Sequence, residues 1–232
     1  PNIVHGAAFA AHQSIVEDQI IGAYMSEFIA GLLAERAGEQ FDLHHKYLNT
    51  QMVKVLRTIG FDRHYVHAKG AHLFDREGRR YLDLLSGFGV FALGRNHPTV
   101  NAALQEVLTL ELPNLVQMDV SPLAGLLAEE LVRSAPPGLN KVFFANSGAE
   151  AVEGAIKFVR AATGRPRILY CDHAFHGLTL GALSLNDSTI FREGFGPLLP
   201  DCERIPFDDL GALEGALATG DVAAFFVEPI QG

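Results

Sequence analysis

The residues of this chain best placed to do chemistry gather around Asn146-Ser147-Gly148-Ala149-Glu150, where an apolar run meets an amphipathic helix. Ser147 and Glu150 stand at the spacing of a capping box, so Ser147 starts the helix. The first turn of such a helix carries free backbone N–H groups and the positive end of the helix dipole, which together favour a phosphate. Gly148 and Ala149 are small enough to let that anion come close. The plainer alternative is that Ser147 caps a helix and binds nothing, as Ser does in many proteins. Two glycine- and histidine-bearing stretches make weaker claims. Gly87, Gly89 and Ala92 have the spacing of a dinucleotide-binding fingerprint, but the next helix starts only at His97-Pro98 and no strand ending in an acidic residue follows at the required distance. His64, His67 and His72 do not form a metal site, because His67 faces away from the other two on a strand and no Cys or carboxylate completes a set.

The elements that must position these residues alternate between strand and helix. Val142-Phe143-Phe144-Ala145 is apolar at consecutive positions, which predicts a strand buried on both faces. Ala151, Val152, Ala155, Ile156 and Val159 then recur at helical spacing until Gly164 and Pro166 stop the pattern. Ile168-Leu169-Tyr170-Cys171 predicts a strand, 209–218 a helix, and Val222-Ala223-Ala224-Phe225-Phe226-Val227 a last apolar strand ended by Glu228-Pro229. This alternation gives βαβ units and a mostly parallel sheet. Ligands gather at the carboxyl ends of strands in such sheets. Ser147, Phe175, His176 and Glu228 each follow a strand closely, so all four belong on that edge.

Upstream, Pro98 and Pro122 each open a helix at its first position, and Pro136-Pro137-Gly138 breaks the chain ahead of 142–145. Residues 64–85 read as a small antiparallel unit turning at Arg76-Glu77-Gly78. Residues 1–60 read as helical. Ser14 and Glu17 form another capping box, Ile21, Met25, Phe28 and Leu32 a stripe ended by Gly38, and a second run covers about 41–59. So broad an apolar face calls for a cover, from the chain's own core, a subunit interface or a partner.

With 232 residues, 48% of them apolar, the chain has ample material for a sizeable core. A formal charge of −9 and the lack of any long Lys/Arg run argue against nucleic acid and anionic membranes as partners. Cys171 and Cys202 form no CxxC pair, so a reducing cytoplasm is the default. The most apolar segment, 20–33, is interrupted by Glu27 and flanked by acidic residues, which makes it neither a signal peptide nor a membrane span. The chain begins at Pro1 rather than Met and stops directly after a strand, as a fragment would.

Three motifs in this order and spacing, Asn146-Ser147-Gly148-Ala149-Glu150-Ala151, Ala174-Phe175-His176-Gly177 and Val227-Glu228-Pro229-Ile230-Gln231-Gly232, resemble the class III pyridoxal-phosphate-dependent aminotransferases. The stretch from Leu73-Phe74-Asp75 to His97-Pro98 is similar to the entry region of that family, so the resemblance covers about 65–232. Phe88-Gly89-Val90-Phe91 and 174–184 look most like putrescine aminotransferases, with ornithine and acetylornithine enzymes next. The resemblance implies an α/β, fold-type I transferase. It implies that Ser147, Gly148 and Ala149 hold the phosphate of pyridoxal 5'-phosphate, that Phe175 stacks on its ring, and that His176 sits beside Phe175 near the substrate side. Glu228 is implied to lie close to the cofactor and Phe88 near the incoming amine, where the missing hydroxyl favours a diamine or another amine without an α-carboxylate. Phe175 as ordinary core, His176 as a satisfied buried imidazole and Glu228 as a strand-end carboxylate accepting backbone hydrogen bonds are the structural alternatives.

The family's chemistry needs a Schiff-base Lys and a carboxylate for the pyridine nitrogen, both expected beyond Gly232. Lys46, Lys54, Lys69, Lys141 and Lys157 stand in no matching context, so no catalytic residue is assigned within this chain and the chain alone is expected to be inactive. The expected organisation is a helical extension at 1–62, a small antiparallel segment at 63–96, and the first part of a large cofactor-binding domain at 97–232. The implied protein is a cytoplasmic homodimer that moves an amino group from a diamine or ω-amino donor to a keto acid. Two alternatives stay open: a non-catalytic half-domain that binds an anion or a partner helix through the 15–33 face, and an aminomutase or racemase of the same class.

Overall fold

The computed structural model of the chain describes residues 28–113 and 116–231. The chain divides into two compact units, the first ending at Pro113 and the second beginning at Asn114. The Ser14–Glu17 capping box and the first part of the apolar 15–33 face lie outside the described residues, and 28–35 are helical.

In the first unit, the single helical run expected over 41–59 is two helices, α1 (Gln40–Tyr47) and α2 (Thr50–Thr58). The break comes from Asn49. Its extended backbone leaves the helix, and its side chain accepts the Met52 N–H at 2.9 Å, capping α2. An Arg57–Asp42 ion pair at 2.8 Å ties the two helices together. The antiparallel unit forms as the turn residues predict, with β1 (Tyr65–Lys69), β2 (His72–Asp75) and β3 (Arg80–Leu82) in the order β1-β2-β3. Its β2–β3 turn is organised by the buried Asp75 carboxylate, which accepts the Glu77 and Arg79 N–H groups, the Arg79 side chain at 2.7 Å and the Tyr81 hydroxyl at 2.8 Å. Burial pushes the Asp75 carboxyl up, but the hydrogen bonds from Tyr81 and Arg79 outweigh it and hold the pKa at about 2. Helix α3 (Pro98–Thr109) begins at its proline.

The second unit contains α4 (Pro122–Ser134), α5 (Gly148–Thr163), β4 (Arg167–Cys171), the short helices α6 (Leu180–Leu183) and α7 (Thr189–Arg192), β5 (Cys202–Ile205), α8 (Leu210–Leu217) and β6 (Val222–Phe226). The sheet is parallel, in the order β5-β4-β6. Central strand β4 alternates its side chains between two cores. Ile168 and Tyr170 pack with Ile156 of α5, while Leu169 packs with Ile205, Ala216 of α8 and Val222. Ile168 and Leu169 are fully buried, each stabilising the fold by about 1.5–3 kcal/mol.

The structure corrects the sequence reading at 142–145. That segment is no strand and has no ladder partner among the described residues, and Phe143 and Phe144 are 61% and 45% exposed rather than buried on both faces. Its apolar content is met by helix α5 instead. The Phe143 ring packs edge-on against Phe158 at 5.2 Å and lies so close to Gly154 that a Cβ there would be 3.0 Å from it. Strand β5 is the opposite case, unread in the sequence because Glu203 and Arg204 interrupt its apolar pattern. The interruption is an ion pair: Glu203 accepts from Arg167 of β4 at 2.8 Å.

Candidate cofactor site

Helix α5 starts as the residues require. Ser147 is extended (φ −150°, ψ 162°), and its hydroxyl accepts the Glu150 N–H at 3.2 Å. The Glu150 carboxylate reaches back to the Asn146 N–H at 2.7 Å, one residue beyond the usual capping-box target. The N–H groups of Gly148 and Ala149 have no partner among the described residues, and nothing lies within 4 Å of where a Gly148 side chain would begin. The result is two free donors, a hydroxyl and open space at the positive end of a 16-residue helix.

The 173–177 loop follows β4 and comes directly onto this corner. Gly177 has φ 130°, and a Cβ on it would stand 2.6 Å from the Ala149 Cβ. Only glycine permits that approach, and it joins the second motif to the first. The third motif joins through Glu228, just past β6, whose Oε1 accepts the Phe175 N–H at 2.8 Å. Glu228 is thus a strand-end carboxylate that accepts a backbone hydrogen bond. From the same segment, Gln231 donates to the Asp172 carbonyl at 2.9 Å.

Phe175 is not ordinary core. It is 48% exposed, with its edge supported by Phe191 at 5.3 Å. His176 is half-buried against Phe226 at 5.9 Å, and its Nε2 is buried with no partner among the described residues, so it is not a satisfied imidazole. Burial lowers its proton affinity, opposed by the nearby Glu228 charge. Phe88 belongs to the first unit. There it is 88% exposed at φ 57°, in a turn fixed by Asp83 accepting the Ser86 N–H at 2.9 Å and pairing with Arg95 at 2.7 Å.

Sequence reasoning missed three residues that hold this edge together. Glu153 of α5 accepts the Gly181 and Ala182 N–H groups at 2.8 and 3.2 Å and so anchors α6. Asn186 and Asp187 grip the 173–177 loop from beneath. In the sequence these two look like an ordinary polar turn, and nothing local marks Asn186 as buried or Asp187 as a loop anchor.

The parallel α/β sheet thus carries a helix N-terminus, an exposed aromatic ring and an unsatisfied imidazole along one edge. Residues 58–232 match the family described as aminotransferase class-III. The chain belongs to that family. It is 38% identical over 208 residues to aminotransferase PigE from Serratia sp. (strain ATCC 39006), covering 88% of this chain and 24% of that protein. It is 43% identical to an acetylornithine aminotransferase from Methanopyrus kandleri (72% of this chain, 42% of that protein). With a putrescine aminotransferase from Pectobacterium atrosepticum the identity is 41% (69% and 36%). Among solved structures, the taurine:2-oxoglutarate aminotransferase from Bifidobacterium kashiwanohense, in complex with PLP and glutamate, superposes with a TM-score of 0.66 at 28% identity (73% and 43%). The chain thus spans less than half the length of each of these relatives.

Proposed function

We propose that this chain supplies the phosphate-binding edge of a pyridoxal-phosphate site in an aminotransferase that moves an amino group from a diamine or ω-amino donor to a keto acid. The observation that carries the reading is the approach of Gly177 to Ala149, which sets an exposed aromatic ring and an imidazole beside a free helix N-terminus. The residues fit the cofactor at both ends. Ser147 and the Gly148 and Ala149 amides offer donors to its phosphate, and the open ring of Phe175 offers a stacking face to its pyridine.

When bound, the cofactor supplies the electron sink for amino-group exchange. The protein's part here is positioning. Glu228 fixes the Phe175 backbone beside the ring, and His176 sits next to Phe175, near the substrate side. The family resemblance alone assigns Phe88, a ring without a hydroxyl, to the incoming amine, which favours donors lacking an α-carboxylate. Support for such a donor comes from likeness to a putrescine aminotransferase, shared with acetylornithine relatives. The anchoring lysine belongs to the length of the family that this chain does not span. The exposed apolar residues Met52, Val55 and Ile59 support a homodimer, and the free thiols Cys171 and Cys202 support a cytoplasmic protein.

The test is pyridoxal-phosphate titration of the complete protein and its Ser147→Ala variant. Loss of a hydrogen bond to a charged group, about 1.5–3 kcal/mol, predicts roughly tenfold to hundredfold weaker binding. Equal affinity in the two proteins would refute the assignment. Keto-acid consumption in step with amine loss separates an aminotransferase from an aminomutase or racemase.

A further inference from the structure

We infer that Asn186 is a positioning residue, a buried carboxamide clamp that sets the 173–177 loop and thereby aims Phe175 and His176. This rests on the proposed function for what the loop faces, and on the structure for the clamp. Asn186 is fully buried, directly after the turn that follows α6. Its side-chain oxygen accepts the His176 N–H at 2.6 Å, and its side-chain nitrogen donates to the Gly177 carbonyl at 2.8 Å. A carboxamide suits this pair because it presents one acceptor and one donor side by side; a carboxylate offers acceptors only and would repel the Gly177 carbonyl. The two partners also fix which way the amide points.

Asn186 is held in turn. Its N–H bonds the Leu183 carbonyl at 3.2 Å, and its own carbonyl accepts from Arg192 at 3.2 Å, the same guanidinium nitrogen that reaches the buried Tyr170 hydroxyl at 3.1 Å. The next residue continues the grip. Asp187 accepts the His173 N–H at 2.9 Å, donates its own N–H to the Ala174 carbonyl at 3.1 Å, and is steadied by Arg204 at 3.0 Å. With Glu228 on the Phe175 N–H, every residue of 173–177 has a backbone group held, and Asn186 holds the two nearest the α5 N-terminus. The Gly177–Ala149 approach leaves no slack in that stretch, so a loop released from Asn186 moves the imidazole and the aromatic ring together.

The test uses the complete protein with pyridoxal phosphate and the variants Asn186→Asp, Asn186→Ser and Ser184→Ala. Ser184 is a control in the same buried turn. Its hydroxyl accepts the Leu199 N–H at 2.8 Å, donates to the Leu180 carbonyl at 2.7 Å, and makes no hydrogen bond to 173–177. In the apo protein, amide exchange across 173–178 should quicken about tenfold or more in both Asn186 variants, with 146–150 unchanged. In the loaded enzyme the visible circular dichroism of the cofactor should change, and kcat should fall about tenfold to hundredfold while KM for the amine moves less than about threefold. Ser184→Ala should lower thermal stability and leave exchange in the loop, dichroism and kcat as they are. The serine variant, which retains a hydroxyl, serves if the aspartate variant does not fold. Wild-type exchange and dichroism in the Asn186 variants would overturn the inference, as would a Ser184→Ala protein that reproduces all their changes. Wild-type protein that takes up no pyridoxal phosphate would overturn the functional reading, and the positioning role with it.

Discussion

Substituting Gly177 with alanine tests the contact that joins the motifs. Two penalties follow from the geometry. The residue has φ 130°, a conformation that costs a side-chain-bearing residue about 1–3 kcal/mol. The new Cβ would also stand 2.6 Å from the Ala149 Cβ and 2.9 Å from its Cα, an overpacking that costs about 1–3 kcal/mol more. The sum, about 2–6 kcal/mol, is large beside the roughly 5–15 kcal/mol that holds a typical fold together. Gly194→Ala is the matched control, because Gly194 has φ 83° with nothing within 4 Å of a Cβ and so carries the backbone term alone. Urea unfolding of the complete apo protein should therefore show Gly177→Ala more destabilised than Gly194→Ala by about 1–3 kcal/mol. Adding Ala149→Gly removes one of the two clashing atoms and should recover part of that excess, a coupling readable in a double-mutant cycle. Pyridoxal-phosphate affinity should fall in parallel, since relief of the clash pushes the loop off the helix start. Equal stability of the two alanine variants, or no coupling to residue 149, would refute the argument that this approach builds the site.

Glu228 offers a simpler contrast. Glu228→Gln keeps a side-chain oxygen for the Phe175 N–H and should melt close to wild type, whereas Glu228→Ala should lose about 1–3 kcal/mol by leaving that amide unpaired; equal melting of the two would remove the hydrogen bond from the account. The Asp75 carboxyl, held at about 2 against an ordinary value of 3.8, binds its proton more readily in the unfolded chain. Its stabilisation of the first unit is thus complete above about pH 4 and lost as the pH falls through about 2. The stability difference between wild type and Asp75→Asn should shrink over that window in acid-unfolding curves, and a constant difference would contradict the assigned cause.

Much of the site was legible because its signals are local. The Ser147 cap, the helical repeat from Ala151 to Val159 and the apolar runs of β4 and β6 are each fixed by neighbours within a few positions, and the structure places them as read. The errors arose where tertiary partners decide. An apolar stretch such as 142–145 satisfies the pattern of a buried strand whether or not a ladder neighbour exists. Strand β5 hides its character because an ion pair with Arg167 accommodates Glu203 on the sheet. The split at Asn49 turned on one side chain acting as a cap rather than as part of a helix. Asn186 and Asp187 were illegible for the same reason: their partners lie 9 to 17 residues away, and only the fold shows this turn-like dipeptide to sit beneath the loop, with Asn186 buried.

The most direct measurement is a crystal structure of the complete protein grown with pyridoxal phosphate. The account predicts phosphate oxygens about 3 Å from the Gly148 and Ala149 amide nitrogens and from the Ser147 hydroxyl, with the Phe175 ring against the pyridine. A cofactor bound with its phosphate elsewhere, and these two amides facing only water, would contradict it.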